Sequence, residues 1–144
     1  MFGKTITAML ALLLGLVSLI LPQTLSRTLL FEAGDYYLFY SERTGSDALI
    51  TISEAEDAEK TKMMLGKITG ESTSYSDREK AFKEAEKYDA ELQFTESVAG
   101  VINYYYYSDK ISESILLCGK RVNLHIALKE EGSAIGSPII FGGY

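Results

Sequence analysis

The sequence predicts an α+β domain, a mainly antiparallel sheet with two helices on one face, preceded by an N-terminal hydrophobic signal or anchor segment. Three observations carry this prediction. Strand-like runs occupy both ends of the region after residue 27, and two helix-period stretches with capping signals lie between them. In front of all of these, Thr5 to Leu21 reads TITAMLALLLGLVSLIL without one charged residue.

The leader comes first in the chain. Lys4 and the terminal amine precede the apolar run, the arrangement that export machinery reads as a signal sequence and that keeps the N-terminus inside. As a helix the run reaches about 25 Å at ~1.5 Å per residue, which is marginal against a hydrocarbon core of about 30 Å. Pro22 ends it, and Thr24-Leu25-Ser26 places small residues at the two positions a signal peptidase inspects. Two fates stay open, cleavage near residue 26 or retention as a membrane anchor through residues 5–21. A buried helix of a cytosolic domain is a third reading of so apolar a stretch. No Cys lies near its end, which excludes a lipid-modified cysteine. The chain therefore divides into residues 1–26, signal peptide or anchor, and residues 27–144, one domain.

The strands and helices follow in order. Asp35 to Ser41 is aromatic-rich, Glu42 to Asp47 is a turn, and Ala48 to Ile52 sets Ile50 and Ile52 against Leu49 and Thr51, so a hairpin is expected. Ser53-Glu54-Ala55-Glu56 has capping-box spacing and predicts a helix with a stripe of Ala58, Thr61, Leu65 and Ile68, stopped at Gly66 or Gly70. Thr69 to Ser76 is polar and small and reads as a loop. Ser76 and Glu79 repeat the capping spacing, with Ala81, Phe82, Ala85, Tyr88 and Leu92 on one side of a second helix. From Val98 onward the pattern is extended, through Tyr104 to Tyr107, Ile115 to Cys118 and Val122 to Leu128. In the last of these, alternation predicts a buried row of Val122, Leu124, Ile126 and Leu128 against an exposed row of Asn123, His125 and Ala127. A final run, Ile135 to Phe141, carries Pro138 and is expected at an edge or to stop pairing there.

Composition excludes several kinds of chemistry. At 144 residues, with Lys+Arg 14 against Asp+Glu 20 and a formal charge of -6, the chain is one acidic domain with no basic footprint for nucleic acid. Every acid and every basic residue except Lys4 lies after residue 26, so anionic lipids or wall polymers are repelled unless recognition is specific. One His and one Cys exclude zinc ribbons and internal disulfides, and the glycines near the end do not make a phosphate loop. Neither a metal nor a cofactor is expected. On one straight strand Cys118 and His125 would stand over 20 Å apart at roughly 3.3 Å per residue, so Cys118 is expected to be buried and unreactive, with pairing to another chain as the alternative. Ser137 sits in no nucleophile elbow. His125 is expected to be solvated or hydrogen-bonded on the polar side of its strand. The candidate binding residues are Tyr104, Tyr105, Tyr106, Tyr107 and His125, because tyrosine offers apolar area and a hydroxyl together.

The residues Val122-Asn123-Leu124-His125-Ile126-Ala127-Leu128-Lys129, then Ile135-Gly136-Ser137-Pro138-Ile139-Ile140 and Tyr144, resemble the end of YwmB-like proteins of Gram-positive bacteria. Those close with an Asn-Leu-Gln-[Ile/Val]-Ala-Leu-Arg strand, a Gly-Thr-Pro-Ile-Ile strand and a Glu-Tyr end. Here His125 stands for Gln, Ser137 for Thr and Gly143 for Glu, and the chain is shorter than typical members. The resemblance implies an exported protein with a TATA-box-binding-protein-like α+β fold and no catalytic residues to carry over. It does not imply DNA binding, since an exported acidic domain has neither access nor charge for it.

The expected function is that of an exported, non-enzymatic envelope protein, secreted or held at the outer face of the membrane, that binds a protein or wall component through its sheet face. The alternatives are a cell-wall-active enzyme using paired carboxylates and a dimerising assembly or sporulation factor with a free strand edge near Ile135 to Phe141.

Overall fold

The computed structural model describes residues 6–14, 28–42 and 47–142. The rest of the leader, with Pro22 and the Thr24 to Ser26 cleavage candidate, lies outside the described residues, as do the 43–46 turn and Tyr144. Residues 6–14 are helical and form α1, whose Ile6, Met9, Leu10, Leu12, Leu13 and Leu14 remain 59% to 78% exposed. This stretch is therefore no part of the domain core. Among the described residues no helix is long and apolar enough to cross a membrane.

The hairpin is present as expected, with β1 (Tyr36–Glu42) against β2 (Ala48–Glu54) in continuous register. A 3-10 turn, Ala55–Asp57, leads into α2 (Ala58–Met64), then β3 (Ile68–Tyr75), α3 (Lys80–Glu86), β4 (Glu91–Val98) and β5 (Val101–Tyr107). A short hairpin of β6 (Ile115–Leu117) and β7 (Lys120–Val122) precedes β8 (Leu124–Leu128) and β9 (Ser133–Ser137). Seven strands make one antiparallel sheet in the order β2-β1-β3-β9-β8-β5-β4. The fold class is thus α+β with a large antiparallel sheet.

Register places Tyr37 and Phe39 on the same face as Glu71, Thr73, Ile135 and Ile126. Both domain helices cover that face. Ala58 of α2 packs with Tyr37 and Phe39, while Ala81 and Ala85 of α3 pack with Tyr75, Leu124, Ile126 and Ile135. The opposite face is partly closed by the segment after β9. Ile140 packs on Ala127 and Ala134, and the Phe141 ring stacks on Tyr40 with centroids 4.3 Å apart. Gly136 and Gly70 make room for this segment, since a Cβ would fall 2.8 Å from Ile140 Cγ1 at the first and 2.6 Å from the Phe141 ring at the second. Gly136→Ala is accordingly expected to lift the segment, to cost about 1–3 kcal/mol and to speed hydrogen exchange at the Ile140 amide. Unchanged exchange would show that the segment does not depend on the missing side chain.

Several expectations are corrected by this architecture. Thr69 to Ser76 is no loop: it forms most of β3, an inner strand paired with β1 and β9. Its polar side chains are engaged, with Thr73 Oγ1 donating to the Tyr36 carbonyl at 2.6 Å and Ser74 Oγ donating to the Tyr36 hydroxyl at 3.1 Å. Neither capping box forms. Ser53 is still in β2, its hydroxyl 3.0 Å from Thr61 Oγ1, and α3 starts after Glu79, whose amide donates to Asp77 Oδ1 at 2.8 Å. Leu92 is in β4 because the chain leaves the helix at Glu86 and Asp89 adopts φ 48. Ile135 to Phe141 is not at an edge, since β9 is paired on both sides and the edges are β2 and β4, but its strand pairing does stop at Ser137, directly before Pro138, as the other arm of that expectation had it. The supposedly exposed row Asn123, His125 and Ala127 is buried, the last two beneath the segment after β9. Cys118 is exposed rather than buried. With Gly119 it makes the two-residue turn of the β6–β7 hairpin, where φ is 50 and 73, the positive pair that such tight hairpins use.

Candidate functional site

Irregular backbone inside a protein has no ladder to satisfy its amides and carbonyls, so side chains must do it. Residues 28–34 are such a segment. They lie on the helical face, anchored by the fully buried Phe31, which meets the Tyr88 ring edge-on at 6.2 Å. Six side chains from helices, strands and one loop hold its main chain. Lys62 Nζ donates to the Thr28 carbonyl at 2.5 Å, and Glu71 Oε1 accepts from the Leu30 amide at 2.7 Å. Tyr88 donates to the Leu30 carbonyl, and Tyr37 donates to the Phe31 carbonyl at 2.9 Å while accepting from the Gly34 amide at 3.1 Å. Glu84 Oε2 accepts from the Glu32 amide at 3.1 Å, and Tyr75 donates to the Glu32 carbonyl at 2.9 Å.

Two buried carboxylates organise this clamp. Glu71, only 2% exposed, pairs with Lys62 at 2.5 Å. Ala58 and Lys62 are the buried residues of α2, one turn apart, and that face carries the ammonium down onto β3. Burial raises the Glu71 carboxyl above the usual carboxylate range, although Lys62 and the Leu30 amide pull it back. Glu84, fully buried, lies 2.8 Å from Lys87 and 3.2 Å from Lys80. Burial alone would raise it too, but the Lys87 and Lys80 ammoniums and the Glu32 amide outweigh that effect and hold it below the usual range. Desolvation raises the Tyr37, Tyr75 and Tyr88 phenols, which therefore stay protonated as donors near neutral pH.

Beside the clamp opens a cleft of about 590 Å³. Lys62 and Glu71 line it together with Thr28, Leu65, Ile111 and Glu113. It is large enough for a small ligand or a few residues of peptide. No family model, curated protein or solved structure matches the chain.

The five residues singled out from the sequence do not share one surface. Tyr104 and Tyr106 belong to the helical face, where Tyr104 meets Phe82 edge-on at 5.1 Å. Tyr105 and His125 point the other way and complete a pile of three rings with Phe94, each step 4.5 Å between centroids. Tyr107 lies under the Arg121 guanidinium at 4.9 Å. Of the five, the structure stacks Tyr105 on His125, while Tyr104 and Tyr106 pack against the core on the other face. The imidazole is buried: the Ile140 amide donates to Nδ1 at 3.1 Å, so Nε2 carries the proton and faces Asn103 Oδ1 at 2.9 Å. Desolvation lowers its pKa to about 4. The residues that sequence reasoning missed are Lys62, Glu71, Glu84, Tyr37, Tyr75 and Tyr88. The readable signal was modest: Lys62 lies one turn after Ala58, and Tyr37 and Tyr75 fall on inward positions of strand alternation.

Proposed function

We propose that this chain is an exported envelope protein that acts by binding a protein or wall component, secreted or held by its leader at the outer face of the membrane. The observation that carries the binding part is the use of the cleft's buried ion pair: Lys62 and Glu71 are engaged with each other and with the main chain of residues 28–34. A general acid or base needs a free proton site facing substrate, and both Glu71 oxygens already accept hydrogen bonds. The exposed apolar side chains of α1 support export, because such a helix, left out of the core, calls for an apolar phase elsewhere. Membership of the YwmB-like family belongs to the same proposal and rests on the strand-and-turn residues from Val122 to Ile140. The acidic charge of the domain speaks against nucleic acid as partner.

Protease shaving of intact protoplasts tests the address, with the domain expected to be digested while cytosolic proteins survive. Full protection of the domain would end the export reading. The enzyme alternative has one observation in its favour, that the raised carboxyl of Glu71 and the carboxylate of Glu113 line the same cleft. It predicts that Glu113→Gln abolishes release of wall fragments, whereas the binding reading predicts no such release by the unaltered protein.

A further inference from the structure

The two edges of the sheet are built differently. β4 carries a register shift between Leu92 and Phe94 and presents Glu91 and Glu96, devices that discourage a further strand. β2 has no such register shift, and its one charged residue, Glu54, is its last. It pairs with β1 residue for residue from Ala48 to Glu54, contains no Pro or Lys, and among the described residues has no neighbour on its outer side. From Ala48 to Ile52 it has no charge, and its apolar side chains are bare, Ile52 being 68% exposed and Ile50 40%. On the face away from the helices, Ile52 lies opposite Leu38 and Ile50 opposite Tyr40, which stacks on Phe141. An added strand would extend this apolar row while satisfying the open hydrogen-bonding edge.

The surroundings of the edge set the charge of what fits. Glu42 and Asp47 flank its start, and Glu54, Glu56, Asp57 and Glu59 its end, all exposed and none with an ion-pair partner among the described residues. Of the lysines in α2 and the turn after it, Lys62 is buried on Glu71, which leaves Lys60 and Lys67 exposed. A second copy of the chain would bring the same carboxylates against these, whereas a basic strand would neutralise them. We propose that the β2 edge is a docking site for an extended basic segment of another protein, added antiparallel or parallel to Ala48–Glu54, with alternating aliphatic residues and Lys or Arg at its ends. This deepens the binding reading by naming the surface and partner chemistry, and does not depend on export.

The test uses the full chain in a neutral detergent, titrated with the fluorescent peptide K-V-T-V-T-V-K, its acidic twin E-V-T-V-T-V-E, and a strand-breaking version with Pro at the centre. The basic peptide is expected to bind, more weakly as salt rises, and the other two are not. Ile52→Lys, at an exposed position that leaves the core intact, is expected to weaken binding about tenfold or more, as is neutralising Glu54, Glu56 and Asp57 to their amides. Absence of peptide binding, equal binding of the Pro peptide, or unaltered affinity in Ile52→Lys would overturn the site. So would a dimer of the unaltered chain that Ile52→Lys dissolves, since the edge would then belong to a second copy. Retention of a native protein or wall partner by Ile52→Lys would overturn this docking site while leaving the binding reading standing, and loss of that partner would support both.

Discussion

Lys62→Met is expected to destabilise the domain by about 3–5 kcal/mol near pH 8, measured by urea unfolding. The side chain that replaces the ammonium matches its apolar stem but leaves Glu71 buried and without a counter-charge. It also strips the Thr28 carbonyl of its donor and weakens the grip on residues 28–34. The deficit has a predictable pH dependence. Burial already holds the Glu71 carboxyl above its ordinary value, and without Lys62 it moves higher, so the variant's folded state binds a proton that its unfolded state releases. Acid therefore narrows the deficit, and it widens as pH rises past the already raised Glu71 value of the unaltered protein, a window above the ordinary carboxylate range. Lys62→Met combined with Glu71→Leu removes the stranded charge, and the pair is expected to be far less harmful than the single change. A single variant as stable as the unaltered protein at both pH 5 and pH 8 would show that the ion pair does not hold the clamp together.

Acidification provides the second large effect. His125 is neutral in the fold, with a pKa of about 4, against about 6.5 in an unfolded chain. The folded state therefore binds fewer protons between these values, and its stability falls as pH drops from 6.5 through 4. The difference corresponds to a loss of about 3 kcal/mol, an upper figure at about 1.4 kcal/mol per unit. The structural cause is local: a proton on Nδ1 would face the Ile140 amide, donor against donor, and would loosen the segment that covers Ala127 and Ala134. Other groups titrate in this range. Glu84, held low, adds to the loss in acid, and Glu71, held high, opposes it. Comparison with His125→Gln isolates the imidazole, because the amide keeps polar contact without titrating. The Gln variant is expected to lose stability less steeply between pH 6.5 and 4; parallel curves would remove His125 as the cause.

The fold class was readable because strand alternation and helix periodicity are local. Tyr36 to Glu42 and Ala48 to Glu54 announce a hairpin through their aromatic and β-branched residues, and the structure pairs them in continuous register. Ile68–Tyr75 announced nothing, because its residues are those of loops. A strand of Thr, Gly, Glu and Ser becomes an inner strand only when neighbours supply Lys62 for its carboxylate and Tyr36 for its hydroxyls. The capping signals misled for a related reason, since hydroxyls at Ser53 and Ser76 found tertiary partners in Thr61 and Asp35 rather than helix amides.

The same physical boundary separates what the sequence by itself determined from what only the tertiary structure decided. Order along the chain, charge and periodicity sufficed for an acidic chain of α+β class with an uncharged apolar stretch from Thr5 to Leu21, because each depends on neighbours in sequence. The clamp around residues 28–34, the buried state of His125 and the open edge of β2 depend on residues far apart in sequence. Leu30 meets Glu71 across 41 positions and Glu32 meets Glu84 across 52. Whether a polar side chain is solvated, paired or buried is set by what folds over it, and that is decided when the sheet closes.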